Sequence, residues 1–140
     1  MAIKDSTAGR WFRRVLWVGI VSNIALSIPI LIAPERVLAA SSLPPASPVL
    51  WPRFSGLLLI LLSAFYMPAG IDPDRYLVTG WLAIVSRLVG VIFFVGTQPA
   101  EYRMLGYFDL AFFIPEAILL TMAVTARAGT GTARSGGGNA

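Results

Sequence analysis

The chain has 140 residues, of which 56% are hydrophobic and only 13% are charged. Soluble domains carry about 25% charged residues, so this composition indicates one domain with a lipid bilayer as its solvent. The chain contains no cysteine and no histidine, which excludes disulfides, zinc ribbons, Ser-His dyads and bis-histidine haem. We therefore expect a protein that is not an enzyme and has no metal site.

The formal net charge of +4 comes from Lys and Arg residues that are scattered at the ends of apolar runs. A nucleic-acid site would need a basic cluster or an aromatic-basic strip, and neither pattern occurs. The expected surroundings are the lipid bilayer and other membrane-protein subunits, with no nucleic acid.

The first apolar run, 15–34, holds twenty uncharged residues. A helix needs about 20 apolar residues to cross about 30 Å of hydrocarbon. We predict a first spanning helix at about 13–34, after a cytoplasmic segment at 1–12. The run is longer than the roughly 7–15 residues of a signal peptide, which favours a span that is retained.

The segment from Glu35 to Pro52 links the first span to the second and contains four prolines. Its second half should be extended, whereas residues 35–40 suit a short interfacial helix. Eighteen uncharged residues then predict a second spanning helix at about 52–70. Asp72, which precedes Pro73, is predicted to cap the third helix.

Two further apolar runs follow, the first interrupted by Arg87 and the second by Asp109 and Glu116. They predict spanning helices at about 75–97 and 103–127. Because the turns that connect the second, third and fourth helices are short, these helices should be antiparallel neighbours. The predicted fold is all-α: an integral membrane four-helix antiparallel bundle that occupies residues 13–127.

The Lys/Arg bias predicts the orientation of the bundle. With the N-terminus inside, seven of the eleven Lys and Arg residues lie on the inner side and three on the outer side. Both termini are therefore expected in the cytoplasm, with the bundle in a bacterial inner membrane. The Gly-rich composition of 128–140 predicts a flexible tail.

Charged residues inside a span cost about 2.5–3.5 kcal/mol each, so they normally face the interior and have a partner. At about 1.5 Å per residue, Arg87 and Glu116 reach similar depths, and Arg53 lies near Asp109. We predict two ion pairs, Arg53 with Asp109 and Arg87 with Glu116. The face of the fourth helix that carries both carboxylates should point at the second and third helices.

Asn23 and Ser27 form an i,i+4 polar pair at a similar depth, so Asn23, Arg87 and Glu116 could share one polar layer. The simplest interpretation is that these side chains fix which helices pair. One alternative is a proton or ion relay through Glu116, beside Pro115. The other is a polar anchor for a ligand headgroup.

The aromatic residues Phe93, Phe94, Phe112 and Phe113 are candidate contacts for a partner or for an apolar ligand such as a quinone, a pigment or a lipid. The alternative is that they are ordinary lipid-facing or core aromatics. The sequence itself predicts no cofactor.

An Arg-x-x-Gly motif begins at Arg53, at Arg87 and at Arg103. A glycine one turn after the arginine lets a neighbouring helix come close beneath the guanidinium. With the ending Ile32-Ala33-Pro34-Glu35-Arg36 of the first helix, the first two motifs resemble those of DoxX-like four-helix membrane proteins over residues 15–126. The resemblance implies a four-helix bundle and, for some members, association with membrane redox systems such as thiosulfate:quinone oxidoreductase. It carries no catalytic residues onto this chain.

The leading functional hypothesis is a non-catalytic accessory subunit of a larger membrane complex, respiratory or photosynthetic. It is motivated by the small size, the lack of histidine and cysteine, and the aromatic residues. The alternatives are a DoxX-like protein that holds a quinone or another apolar molecule in its bundle, and a small proton-coupled transporter that uses Glu116.

Overall fold

The computed structural model of the chain describes residues 2–135, with side chains to residue 129. Helices and turns make up this part of the chain, and it contains no strand. The five α-helices are α1 (Thr7–Ile32), α2 (Pro34–Ala40), α3 (Leu50–Ile71), α4 (Leu77–Val91) and α5 (Arg103–Ser135). A π-helical segment, Ile92–Thr97, prolongs α4, and 3-10 turns precede α1 and α5 at Ile3–Asp5 and Ala100–Tyr102.

Four helical stretches are long and apolar enough to cross a membrane. They are Thr7–Ile32, Leu50–Ile71, Leu77–Thr97 and Ala100–Gly129. Each of them exposes large apolar side chains, such as Val21, Phe65, Val78 and Met122. Such a surface is suited to lipid rather than to water. The predicted all-helical class is confirmed, with four helices that are long and apolar enough to span a membrane.

Helix α1 begins at Thr7, earlier than the predicted start at residue 13, because Ser6 caps it. The Ser6 hydroxyl accepts a hydrogen bond from the Gly9 N–H at 2.9 Å and donates one to the Ile3 carbonyl at 2.7 Å. A serine in this position satisfies one of the free N–H groups of the first turn. The segment predicted at 1–12 is therefore partly helical, while the short helix predicted at 35–40 is confirmed as α2.

The predicted cap at Asp72 is wrong. Its carboxylate accepts hydrogen bonds from the N–H groups of Asp74 at 3.2 Å and Arg75 at 3.4 Å, so it closes the turn before α4. The helix itself begins only at Leu77, and its N-cap residue Tyr76 makes no side-chain capping bond.

The last helix continues beyond its predicted end at residue 127 and reaches Ser135. Extending a helix that packing has already formed needs no new nucleus, so a composition that would not begin a helix can continue one. The tail predicted at 128–140 is thus helical in its first part. Residues 136–140 of that tail lie outside the described residues.

Helix α1 packs against α3 and α5, and α4 packs closely against α5 and less closely against α3. We call the end of the helices that contains the chain's N-terminus and the α3–α4 turn the terminal end, and the opposite end, with α2 and residues 92–102, the loop end. The buried apolar core lies in the half near the terminal end and consists of Phe12, Leu16, Ile20, Tyr66, Ala69, Ala83, Ile84 and Leu120.

The terminal end is closed by hydrogen bonds to the Asp74 carboxylate. It accepts from the N–H of Ile3 at 2.8 Å and from that of Lys4 at 3.0 Å, and Arg127 approaches to 3.5 Å. Partial burial by itself raises the pKa of Asp74, but the two N–H groups and the charges of Arg127 and Lys4 outweigh it and hold the pKa below its ordinary value. One carboxylate thus joins the N-terminal turn, the α3–α4 turn and α5.

A second contact at this end joins α1 to the last turn of α3. Arg13 Nε and the Trp17 indole N–H both donate to the Gly70 carbonyl, at 2.9 and 3.2 Å. Carbonyls in the last turn of a helix have no partner within the helix, and a cation there also complements the helix dipole. A methyl group on Gly70 would lie about 2.9 Å from the indole nitrogen, so glycine allows this contact.

Candidate functional site

Arg87 lies at the α4–α5 interface with only 3% of its side chain exposed. Its Nη1 is 3.3 Å from Asp109 Oδ1, and its Nε is 3.3 Å from Glu116 Oε2. Asp109 is 23% exposed, whereas Glu116 is fully buried. One guanidinium therefore faces two carboxylates.

Both carboxylates come from one stripe of α5, with Phe112 between them. The Arg87 Cζ atom lies 4.6 Å from the centroid of the Phe112 ring, within the range of a cation–π contact. Positions 109, 112 and 116 follow the spacing that places side chains on one helix face. We call Arg87, Asp109, Phe112 and Glu116 the Arg87 cluster.

Two glycines on different helices make room for this cluster. A Cβ atom on Gly19 of α1 would collide with the Arg87 Nη2 atom, and one on Gly90 of α4 would collide with the Asp109 carboxylate. The glycine of the Arg87-x-x-Gly90 motif therefore accommodates the carboxylate of the neighbouring helix. A Cβ atom on Gly56 would meet the Ser27 carbonyl oxygen and apolar side chains of α1, and one on Gly106 would meet Val95 and Phe94 of the π-helical segment.

The Arg87 cluster has unused hydrogen-bonding capacity. Arg87 Nε and Nη2 and both carboxylate oxygens of Glu116 are buried without a hydrogen-bond partner. The 3.3 Å approach of Nε to Glu116 is thus an ion pair without hydrogen-bond geometry. A buried polar atom without a partner, such as Arg87 Nη2 or Glu116 Oε1, costs about 1–3 kcal/mol.

The predicted Arg87–Glu116 pair is confirmed, but the predicted Arg53–Asp109 pair is wrong because Asp109 pairs with Arg87. Arg53 is exposed on α3, and α3 packs mainly on α1 and α4. Similar depth in the bilayer therefore does not produce contact here. Among the described residues, the carboxylates of α5 form ion pairs with Arg87 of α4 and none with the second span, α3.

Asn23 and Ser27 are both buried on α1, as the polar layer requires. The Ser27 hydroxyl, however, donates to the backbone carbonyl of Asn23 at 2.6 Å, so this bond stays within the helix. The α1 residue that meets the guanidinium is Gly19.

The four phenylalanines predicted as candidate contacts for a partner or an apolar ligand lie in different places. Phe112 lies under Arg87, and Phe113 packs against the apolar core. Phe93 and Phe94 pack edge to face in the π-helical segment, with ring centroids 5.1 Å apart. None of the four lines either of the two surface grooves described next.

Two apolar grooves lie on the surface, and neither is lined by Arg87, Glu116, Phe112 or Phe113. The first, which we call the α3–α4 groove, has a volume of about 510 Å³. The Tyr66 and Ser86 hydroxyls bond to each other across it. It is lined by Leu62, Phe65, Tyr66, Pro68, Tyr76, Thr79, Leu82 and Ser86. The second lies along α3 and shares Leu62 and Phe65 with the first.

Fold and site together define an all-helical protein with four helices long and apolar enough to cross a membrane and a buried charge cluster between α4 and α5. Within the described residues, no group of acidic side chains could hold a metal ion. Comparison of the chain with family models, with curated proteins and with solved structures finds no match in any of the three. The resemblance to DoxX-like proteins stays a prediction.

Proposed function

We propose that this chain is a non-catalytic interaction subunit of a larger complex in a bacterial inner membrane. In this proposal its helices form an antiparallel bundle with both termini in the cytoplasm. The α3–α4 groove is the observation that carries the proposal, because it offers an apolar helix of another subunit a shaped site.

The lining of the α3–α4 groove suits a helix from a partner. Thr79 and Ser86 are seven residues apart on α4 and present small side chains, which let two backbones approach closely. Phe65 and Leu82, at the edges, are 70% and 59% exposed and would gain contacts from an added helix. Inside a bilayer such packing, and not the removal of apolar surface from water, drives helix association.

The polar groups of the spans support a non-catalytic role. The hydroxyls of Ser27, Ser55, Ser63 and Thr125 each donate to the carbonyl four residues earlier in their own helix. Bonds of this kind satisfy the hydroxyl proton within the helix. These groups therefore contribute to helix structure, which agrees with the proposed non-catalytic role.

Photocrosslinking in native membranes tests the proposal. A benzoylphenylalanine introduced in place of Leu82 should give one crosslinked protein product of defined mass, because the groove is occupied by a partner helix. The control position is Val21 of α1, which is 60% exposed but lies outside the groove, and should give no such product. Equal crosslinking at both positions, or lipid adducts alone at position 82, would contradict the proposal.

A further inference from the structure

The charges of the Arg87 cluster do not balance. If both carboxylates are ionised, Arg87 supplies one positive charge against two negative ones. A net charge in the middle of a span costs about 2.5–3.5 kcal/mol, and two like charges at one site oppose each other's ionisation. One bound proton makes the cluster neutral.

No other group near the cluster supplies the missing positive charge. The titratable side chain that α3 turns toward it is Tyr66, whose hydroxyl is held by Ser86. Helix α1 contributes the neutral Gly19 to this face. Among the described residues, the charged groups of α4 and α5 at this site are Arg87, Asp109 and Glu116 themselves.

The two carboxylates differ in how well they can remain ionised. Asp109 accepts a hydrogen bond from Arg87 Nη1 and is 23% exposed, so it is the natural counter-ion of the guanidinium. Glu116 is fully buried, and neither of its oxygens has a hydrogen-bond partner. Because a buried carboxylate without hydrogen bonds is the costlier anion, the proton belongs on Glu116.

The cluster is closed toward the terminal end. Ala83 and Ile84 on α4 and Leu120 on α5 lie about one turn beyond Arg87 and Glu116 in that direction, and none is more than 3% exposed. Toward the loop end, the partly exposed Asp109 lies two turns from Glu116. The partly exposed side of the cluster is therefore the one at Asp109.

We propose that the Arg87 cluster is a proton-binding site that holds one proton on Glu116 and exchanges it at the loop end. On uptake, hydronium at the loop end becomes water and an O–H bond forms at Glu116; release is the reverse. This inference goes beyond the role as an interaction subunit and does not depend on it.

Infrared spectroscopy of the full chain in lipid vesicles tests the site. At neutral pH the protein should show the C=O band of a protonated carboxyl group. The band should be lost in Glu116→Gln, and also in Asp109→Asn, since Arg87 then balances the one remaining carboxylate. Glu101→Gln, at an exposed carboxylate, is the matched control and should leave the band unchanged.

No carboxyl band at neutral pH in the parent protein, or its persistence in either cluster variant, would overturn the proposal. Because glutamine mimics the neutral form of Glu116, loss of helical circular dichroism in Glu116→Gln would contradict it as well. In vesicles of known orientation, the band should titrate with the pH of the solution at the loop end. Titration from the terminal end alone would overturn the proposed access route.

Discussion

At the scale of single residues, the Arg87 cluster depends on glycine as much as on charge. The guanidinium and the Asp109 carboxylate occupy the positions that side chains on Gly19 and Gly90 would take. A buried ion pair stabilises a protein only where its geometry is good, because removal of each charge from water is costly. The two glycines allow the distance of 3.3 Å between Arg87 and Asp109.

Gly90→Ala should destabilise the protein by about 1–3 kcal/mol, because the added methyl group overlaps the Asp109 carboxylate. The measurement is the free energy of unfolding, from helical circular dichroism as mixed micelles are titrated with SDS. Gly96→Ala is the matched control, because a Cβ atom at position 96 would meet nothing within 4 Å. The free energy of unfolding of this variant should equal that of the parent protein or exceed it by up to about 1 kcal/mol.

Removal of the Asp109 carboxylate isolates the cause of the destabilisation by Gly90→Ala. In an Asp109→Ala background, Gly90→Ala should cost much less, since the overlapping group is gone. Equal costs for Gly90→Ala in the two backgrounds would show that the glycine serves another contact.

Sequence reasoning reached part of this site. Rise per residue placed Arg87 opposite Glu116, and that pair is confirmed. The same depth argument gave a wrong partner for Arg53, because depth gives no information on the rotation of a helix or on which helices are neighbours. The Arg-x-x-Gly motif does not distinguish the two arginines, because Gly90 accommodates Asp109 whereas Gly56 of the same motif lies against α1.

At the scale of elements, the terminal end is held by contacts between segments far apart in sequence. Asp74 binds the backbone of Ile3 and Lys4, and Arg13 with Trp17 completes the last turn of α3. The number of spans and their approximate bounds were predictable, because the length of an uncharged run reflects the thickness of hydrocarbon. The hydrogen bonds at the terminal end were not predictable from the sequence, since they follow no periodic pattern.

The attachment of the N-terminal turn should weaken in acid. The folded pKa of Asp74 lies below its unfolded value, so its stabilisation is present above the unfolded pKa, about 3.9, and is lost as pH falls through the folded pKa. The measurement is the hydrogen-exchange protection factor of the Ile3 and Lys4 amides. It should drop as the pH falls from the unfolded pKa of Asp74 through its folded pKa.

Asp74→Asn is the control for this effect. Its amide does not titrate in this range, so protection of the two amides should be weak and independent of pH. A wild-type protection that does not change in acid, or the same pH profile in Asp74→Asn, would show that another group holds the N-terminal turn.

At the scale of the whole molecule, the apolar surface and the buried charges fit one environment. Large side chains such as Phe65 and Val78 are exposed along the spans, while Arg87 and Glu116 are enclosed. This is the reverse of a protein in water and the expected distribution for one in lipid. Both the interaction surface and the proton site require that the four helices cross the bilayer.

Cysteine accessibility tests that requirement most directly, because the chain contains no cysteine of its own. Single substitutions are placed at the exposed Ala40 in α2, at the exposed Arg75 after α3 and at Ile118 in the last span. With a membrane-impermeant maleimide, Ala40→Cys should react in intact spheroplasts and Arg75→Cys only after permeabilisation. Ile118→Cys should stay unlabelled in both. Labelling of positions 40 and 75 from the same side, or of position 118 at all, would contradict a four-span protein with both termini in the cytoplasm.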